Sequence, residues 1–374
     1  MDVQQYFTEK KKLYNILHEF IESEVSDENS VLIQNLSSMI QNNLENQEEL
    51  KELLTIVSKI ADYHCRCQNF NDKIETIITI IENQIKENIS NTELFNIFKN
   101  NKKIIHFLFK KQILQMNNNI LNNQSFSLFF YPEIKLSGNM MKIKEIENKL
   151  LAINENIFND FDQKRDIGEN DSYICELIRN DSVKEFITYV NQANINLSSK
   201  INSSIFETNP ILIENEPTLI EYSAFFGSIQ IFQYLRLNNV KLTQSLWFYA
   251  IHSKNAEMIN LLENVKPEKT NYQQILEESI KCHHNEITYY FLDNYIIEPE
   301  KIRNFQNNIF AYCFHYHNYE FMPIDINQCP YIPYYIFQYE YDSMIHFLLQ
   351  NQGIDLNNKI VLNSDILRYF CFNY

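Results

Sequence analysis

Cysteine and histidine residues cluster at three places in this sequence, and both side chains are ligands that Zn²⁺ prefers. The groups occupy residues 64–67 (His-Cys-Arg-Cys), 282–284 (Cys-His-His) and 313–317 (Cys-Phe-His-Tyr-His), with Cys329 further on. None has the paired C-x₂-C or H-x₃-H spacing of zinc sites, and adjacent residues on a helix point in different directions. The sequence therefore predicts no metal site and no cofactor.

The same groups also raise the question of a nucleophilic thiol. A catalytic cysteine needs a positioned base and a lowered pKa, and no local pattern indicates either. The chain has no G-x-S-x-G, phosphate-binding loop, G-x-G-x-x-G or H-E-x-x-H motif. We therefore expect a protein that is not an enzyme. A metal-dependent or thiol-dependent enzyme using these Cys and His groups is the alternative.

Charge and cysteine usage restrict the partners and the compartment. The 374 residues carry 48 acidic and 32 basic side chains, a net charge of −16. Nucleic acid and anionic membranes attract basic surfaces, so neither is an expected partner. Seven irregularly spaced cysteines indicate free thiols in a reducing compartment. Without a signal-peptide pattern or an apolar run of about 20 residues, we expect a cytoplasmic protein that does not insert into membranes.

Helical periodicity dominates residues 1–158. Apolar residues recur at helical spacing in four segments, 6–21, 50–61, 74–85 and 140–157. Residues 92–111 predict two short helices broken at Asn100, with a degenerate repeat as one interpretation of 91–111. The Asn-rich segment 117–123 predicts a loop or a poor helix end. This region is expected to form a helical N-terminal domain.

A polar, charged stretch at residues 159–171 predicts a linker to a second region, 172–374. The whole chain has only four glycines. Asn tolerates left-handed backbone better than other residues with a side chain, so we expect Asn to end helices here in place of glycine.

Beyond residue 172 the sequence repeats itself. The repeated pattern, called the echo below, is a polar residue, two apolar residues, two spacers and another apolar residue. Copies begin at Glu185, Gln230, Glu257, Glu286, Glu320 and Ser343, and each follows a short apolar helix. Paired short helices bury their apolar faces only by stacking on neighbouring pairs. The predicted fold is therefore all-α, a helical-repeat solenoid preceded by a helical N-terminal region.

The best copy resembles the ankyrin repeat. Residues 218–228, Thr-Leu-Ile-Glu-Tyr-Ser-Ala-Phe-Phe-Gly-Ser, are similar to the ankyrin consensus T-P-L-H-x-A-A-x-x-G-H. The similarity keeps Thr218 as helix cap, Ala224 where helices crowd and Gly227 at the turn. The segments at 129–135, 172–182, 245–255 and 279–285 further resemble a lineage-expanded family of trichomonad-type protist ankyrin-repeat proteins, whose shared domain has no known function.

The resemblance covers roughly residues 125–320 and implies an ankyrin-like stack that binds a protein partner through its concave face. The expected contact residues are the presumed exposed positions before each turn: Phe225, Phe226, His252, Ser253, Lys281 and Cys282. The family also keeps a turn histidine where His284 lies, which gives that residue a structural reading. The sequence thus predicts a non-catalytic protein-interaction scaffold, with a structural spacer that has no specific partner as a further alternative.

Overall fold

The computed structural model describes residues 3–23, 29–43, 46–64, 66–67, 69–267, 271–295, 299–322 and 331–345. The all-α prediction is confirmed for these residues, because they contain no strand and only an isolated bridge between Lys200 and Thr218. None of the helices in this part of the chain is long and apolar enough to cross a membrane. The apolar segment 365–374, together with Cys65, Cys329 and Cys371, lies outside the described residues.

Twelve α-helices and a 3₁₀ turn at Ile157–Asn159 precede residue 170 among the described residues. The α-helices are α1 (Val3–Glu22), α2 (Asn29–Asn43), α3 (Gln47–Tyr63), α4 (Phe70–Ile80), α5 (Glu82–Asn88), α6 (Asn91–Phe98), α7 (Lys102–Lys110), α8 (Asn118–Asn122), α9 (Gln124–Phe129), α10 (Tyr131–Leu136), α11 (Met140–Ile153) and α12 (Phe161–Ile167). The predicted break between two short helices at Asn100 is confirmed, with Asn101 capping α7 by accepting the amide of Ile104 at 3.1 Å.

The following helices include the predicted pairs. They are α13 (Tyr173–Arg179), α14 (Val183–Gln192), α15 (Pro210–Asn215), α16 (Leu219–Phe226), α17 (Ile229–Leu237), α18 (Ser245–His252), α19 (Ala256–Val265), α20 (Tyr272–Lys281), α21 (Asn285–Tyr295), α22 (Pro299–Tyr316) and α23 (Ile332–Gln338). The echo at 320 differs from the others, because Tyr319–Phe321 forms a 3₁₀ turn.

The described chain divides into two compact units. Unit 1 comprises residues 1–84 and 271–374, and unit 2 comprises residues 85–270. In unit 2, α13 packs with α14, α16 with α17, and α18 with α19, while α16 lies between α13 and α18. In unit 1, α20 packs against α21 and α22, and α1 packs against α2, α4 and the 319–321 turn.

The predicted polar linker at 159–171 is not a linker in the structure. Its middle forms α12, whose Phe161 joins the apolar core of unit 2 together with Ile134, Ile157 and Phe206. Arg165 of the same helix is buried and pairs with Glu133 at 2.6 Å. The charged residues of this segment do not indicate a linker, because Arg165 forms its ion pair within a packed unit.

The Asn-rich segment 117–123, predicted to be a loop or a poor helix end, forms the short helix α8 with Asn117 and Asn123 at its two ends. Asn117 caps α8 by accepting the amide of Ile120 at 3.1 Å, and the Ile120 side chain is fully buried. Asparagine also ends helices as expected: Asn194 after α14 and Asn239 after α17 have left-handed φ values of 50° and 59°. A polar residue with this tolerance replaces glycine at both positions.

Candidate functional site

One backbone turn recurs where the first helix of each predicted pair ends. A left-handed residue lies three or four positions before each echo; these residues are Asp181, Gly227, Lys254, His283, His317 and Glu340. In five of the six turns the next amide donates to the carbonyl five residues earlier, as Ser228 does to Ser223 at 2.9 Å. This hydrogen bond defines the Schellman motif, which satisfies carbonyls at a helix end.

Side chains at these turns join consecutive pairs within each unit. In unit 2, Ser228 is buried and its Oγ donates to the carbonyl of Ile178, in the preceding pair, at 2.5 Å. In unit 1, Asn318 is buried and its Nδ2 donates to the carbonyl of Ile280 at 2.9 Å. Both acceptors lie three residues before the left-handed residue of the preceding turn. The same contact is therefore made in both units.

The predicted contact residues of unit 2 are not an exposed surface. Phe225 is 1% exposed and His252 is fully buried, with their rings stacked at a centroid distance of 5.8 Å. Ser253 is also buried and donates to the carbonyl of Ala250, while Phe226 is half-buried. The expectation that these side chains face solvent is wrong, because large aromatic residues at the turn positions pack on one another.

The two predicted contact residues of unit 1 are covered by α3. Cys282 is fully buried, and its carbonyl oxygen lies 2.8 Å from Nδ1 of His64. Lys281 is half-buried with its ammonium 4.7 Å from the ring centre of Tyr63. A helix near the beginning of the chain thus occupies the face that was expected to receive a partner, which corrects the prediction for both residues.

Unit 2 contains a cavity of about 620 Å³ that no sequence pattern predicted. Its wall combines apolar side chains such as Phe206 with Tyr222, Lys102 and Glu207. The Lys102 amine is buried and donates a long hydrogen bond of 3.5 Å to the Glu207 carbonyl. The volume of the cavity is typical of small-ligand pockets.

The two charged groups of this cavity have shifted pKa values. Burial lowers the pKa of Lys102 to about 8, against the opposing charge of Glu207. Burial raises the pKa of Glu207 to about 7, although its carboxylate accepts the amides of Asn209 and Asn170 at 2.9 and 3.2 Å. No local sequence pattern indicates this pair, because 105 residues separate its members.

Tyrosines concentrate at the surface of α21 in unit 1. Tyr289 and Tyr290, here called the α21 tyrosine surface, are 45% and 38% exposed, and Tyr295, on another side of the helix, is 36% exposed. The Tyr289 hydroxyl donates to Glu320 at 2.7 Å, and the Tyr295 ring stacks on Tyr272 at 4.5 Å. Tyrosine is enriched in the energetically important centres of protein interfaces, so this surface is suited to binding a protein.

In the 313–317 group, Cys313 and His317 are buried and His315 is exposed. Burial raises the pKa of the Cys313 thiol well above its usual range, so the thiol is protonated at neutral pH. Burial lowers the pKa of His317 to about 3, and partial desolvation lowers the pKa of His315 to about 4. The His315 ring stacks between aromatic side chains, with centroids 4.3 Å from Tyr316 and 4.8 Å from Tyr339.

Side chains from elsewhere in the chain lie beside the 64–67 group. His18 and Glu22, one turn apart on α1, lie beside His64, and the donor atoms of these three are within 4.8 Å of one another. Cys67 lies 3.0 Å from Nε2 of His64. Burial lowers the pKa of His64, but hydrogen bonds with Cys67 and Glu22 outweigh that effect and raise it to about 9.

No protein-family model, curated protein or solved structure matches this chain.

Proposed function

We propose that this protein is a non-catalytic scaffold of ankyrin-like helical repeats that binds another protein. The observation that carries the proposal is the recurrence of one left-handed turn three or four residues before every echo. Side-chain hydrogen bonds between consecutive turns, such as Ser228 to Ile178, favour the same reading. Stacked repeats of this kind expose a rigid, extended surface, which suits protein recognition.

The α21 tyrosine surface is the proposed contact region. It replaces the six turn residues, because four of those are buried and two are half-buried. Two partly exposed tyrosines that are adjacent on one helix provide contact area at a small cost in side-chain entropy. Neighbouring acidic residues Glu286, Asp293 and Glu320 favour a partner with basic groups at the rim of the contact.

A capture experiment with matched variants tests this proposal. The full chain carrying an affinity tag is incubated with native lysate, and captured proteins are quantified by mass spectrometry. Tyr290→Glu introduces a charge on the α21 tyrosine surface. Tyr173→Glu introduces the same charge at a 50% exposed tyrosine of α13, in unit 2, and is the control. Far-UV circular dichroism establishes that both variants retain the wild-type helix content.

We expect a stoichiometric partner that Tyr173→Glu retains and Tyr290→Glu loses by at least tenfold. A partner retained equally by both variants excludes the α21 tyrosine surface as the contact region. Recovery of background proteins alone by the wild-type chain overturns the scaffold proposal and favours the structural-spacer reading.

The unit 2 cavity supports a second candidate function, the binding of a small anionic molecule. The specific observation is Lys102, a buried cation that donates a long hydrogen bond of 3.5 Å to the carbonyl of Glu207. An anionic ligand would give this ammonium a stronger, charge-assisted hydrogen bond. The serine and asparagine side chains in the wall, including Asn170, Asn202 and Ser204, offer further hydrogen bonds to such a ligand.

Thermal-shift measurements separate this candidate from the scaffold. Inorganic phosphate, small carboxylic acids and nucleotides are added to the full chain, and the change in Tm is recorded. The control variant Lys102→Met keeps the length of the side chain and removes its charge. An anion that raises the Tm of the wild type, but not that of Lys102→Met, supports the pocket. Equal shifts in both proteins exclude it.

A further inference from the structure

Four side chains with metal-binding donor atoms meet in unit 1, where α1 runs beside the end of α3. His18 and Glu22 belong to α1, and His64 and Cys67 directly follow α3. Oε1 of Glu22 lies 2.7 Å from Nε2 of His64, 3.4 Å from Sγ of Cys67 and 4.0 Å from Nε2 of His18. This group of four residues is called the His-Glu-His-Cys cluster below.

Local structure explains why the donors converge. Residues four apart on a helix lie on one face, so the α1 spacing directs His18 and Glu22 to the same side. His64 caps the C-terminus of α3, with its amide bonded to the carbonyl of Ile60 at 2.8 Å. The chain then leaves the helix, which brings Cys67 back toward the imidazole of His64.

The orientation of His64 requires a positive charge in the cluster. Its Nδ1 lies 2.8 Å from the carbonyl oxygen of Cys282, and a carbonyl only accepts, so Nδ1 carries a proton. In the neutral ring, Nε2 then presents a lone pair toward the Glu22 carboxylate at 2.7 Å. Two acceptors at this distance repel each other unless a proton or a metal ion lies between them.

The Nδ1 contact is also the usual arrangement of a metal-binding histidine. Such histidines donate the second ring nitrogen to a carbonyl or carboxylate, which fixes the ring and the tautomer. The side chain of His64 is fully buried, so its orientation is held by packing as well as by this hydrogen bond. Neither feature depends on the presence of an ion.

The distances within the cluster are compatible with tetrahedral zinc. Zinc binds nitrogen and oxygen at about 2.0–2.2 Å and thiolate sulfur at about 2.3 Å, which places its ligands roughly 3.3–3.7 Å apart. Four of the six donor separations, 2.7, 3.0, 3.4 and 4.0 Å, bracket that range. To reach it, His18 must turn toward the other three donors, because its Nε2 is directed at the carbonyl of His283.

His18 is the fourth donor, and it must give up a hydrogen bond in order to bind a metal ion. Its Nε2 lies 3.0 Å from the carbonyl of His283, to which it donates a hydrogen bond. Binding a metal through Nε2 replaces this hydrogen bond with a coordinate bond. We therefore expect His18 to contribute less to affinity than His64 and Cys67.

We propose that the His-Glu-His-Cys cluster is a structural zinc site formed by His18, Glu22, His64 and Cys67. Two imidazoles, a thiolate and a carboxylate form a mixed nitrogen, sulfur and oxygen set that favours zinc over magnesium or calcium. Four protein ligands leave no open position for a substrate, so the ion stabilises the packing of α1 against the end of α3. The spacing is His-x₃-Glu and His-x₂-Cys, in two segments 42 residues apart, counted from Glu22 to His64.

Metal analysis of the full chain tests the proposal. Protein purified without chelator and under reducing conditions is expected to contain one zinc ion per chain by mass spectrometry of the metal. Protein stripped of metal is then titrated with Co²⁺, which occupies zinc sites and reports its ligands by absorption. A thiolate-to-cobalt charge-transfer band and the intense visible bands of tetrahedral Co²⁺ are the expected signature.

Matched cysteine variants locate the site. Cys67→Ser is expected to lose the charge-transfer band and to bind zinc at least tenfold more weakly, whereas Cys175→Ser, a buried thiol of unit 2, retains both. His18→Gln is expected to weaken binding by a smaller factor than His64→Gln. If the wild-type chain binds no stoichiometric zinc and shows no such band, the proposal is overturned, and the positive charge beside Glu22 is a proton. An unchanged cobalt spectrum in folded Cys67→Ser protein also overturns the proposal. If the Cys67→Ser chain does not fold, the cobalt spectrum of the wild-type chain is the deciding measurement.

Discussion

The carboxylate of Asp181 caps a helix of the neighbouring repeat pair by accepting the backbone amide of Ile231 at 2.9 Å. It also accepts the amide of Gln230 at 3.0 Å. Asp181 itself has a φ of 49°, since it is the left-handed residue that ends α13. One residue therefore closes a helix in its own pair and caps α17 in the next pair, which couples the two pairs.

Replacing Asp181 by alanine should cost about 2 kcal/mol in the free energy of unfolding. Loss of a helix cap costs about 1 kcal/mol, and alanine in left-handed backbone costs about 1 kcal/mol more. Asp181→Asn keeps one acceptor oxygen and tolerates the backbone, so it should lose about half as much. Denaturant titration followed by circular dichroism measures both values. Equal losses in the two variants would contradict the capping role.

Two glycines with the same backbone conformation provide a matched comparison. Gly227 and Gly138 have φ values of 67° and 77°, but a Cβ at Gly227 would lie 2.8 Å from Nδ2 of Asn255, while one at Gly138 has no atom within 4 Å. Gly138→Ala should cost about 1 kcal/mol, the price of left-handed alanine. Gly227→Ala should cost about 2–3 kcal/mol, because Asn255 must move away from capping α19.

Denaturant titration of both glycine variants measures this difference. Asn255→Ala in the Gly227→Ala background is the control, since it removes the side chain that the new methyl group meets. We expect the two changes to be less than additive in the double variant. Full additivity would mean that the close approach of Asn255 does not cause the loss of stability in Gly227→Ala.

Truncation of Phe225 should destabilise unit 2 strongly. The ring is buried against Phe226 and His252, and removing a buried phenylalanine typically costs about 3–5 kcal/mol. Tyr173→Ala, at an exposed aromatic residue of the same unit, should cost about 1 kcal/mol or less. Calorimetry gives the Tm of each variant. If the Phe225→Ala chain is as stable as the Tyr173→Ala chain, the Phe225 side chain is exposed, as the repeat resemblance implies.

Glu207 should make the protein less stable as the pH rises from about 4.5 to 7. Burial raises its folded-state pKa to about 7, against an ordinary value of 4.5, so the folded state holds a proton that the unfolded state has lost. The associated stability is fully present below pH 4.5 and decreases through pH 7, by about 3 kcal/mol in total.

The pH effect of Glu207 is measured as the difference between two unfolding profiles. Denaturant titrations between pH 4 and 8 compare the wild type with Glu207→Gln, which cannot titrate, and with Glu214→Gln at an exposed position. The wild-type and Glu214→Gln profiles should have the same slope, and Glu207→Gln should have a flatter one. Parallel profiles for all three proteins would show that Glu207 carries no such shift.

Local sequence determined the helices and their ends. Apolar residues at helical spacing predicted most helices, because burial of one helical face leaves a periodic signal in the chain. Thr218 forms a capping box with Glu221, and Gly227 takes the left-handed turn, as the repeat resemblance implied. Asn194 and Asn239 end helices where glycine is scarce. Each of these features depends on residues within a few positions of one another.

Tertiary packing decided which residues are accessible and which chemical groups meet. Phe225, His252 and Cys282 are buried by tertiary packing, which the periodicity along a helix does not reveal. Glu22 and His64 lie 2.7 Å apart only because α1 runs beside the end of α3. Spacing within the 64–67 segment predicted no metal site, since two of the four donors of the proposed zinc site, His18 and Glu22, lie on α1. Side-chain chemistry was readable in the sequence, while distances between remote residues arise only from the fold.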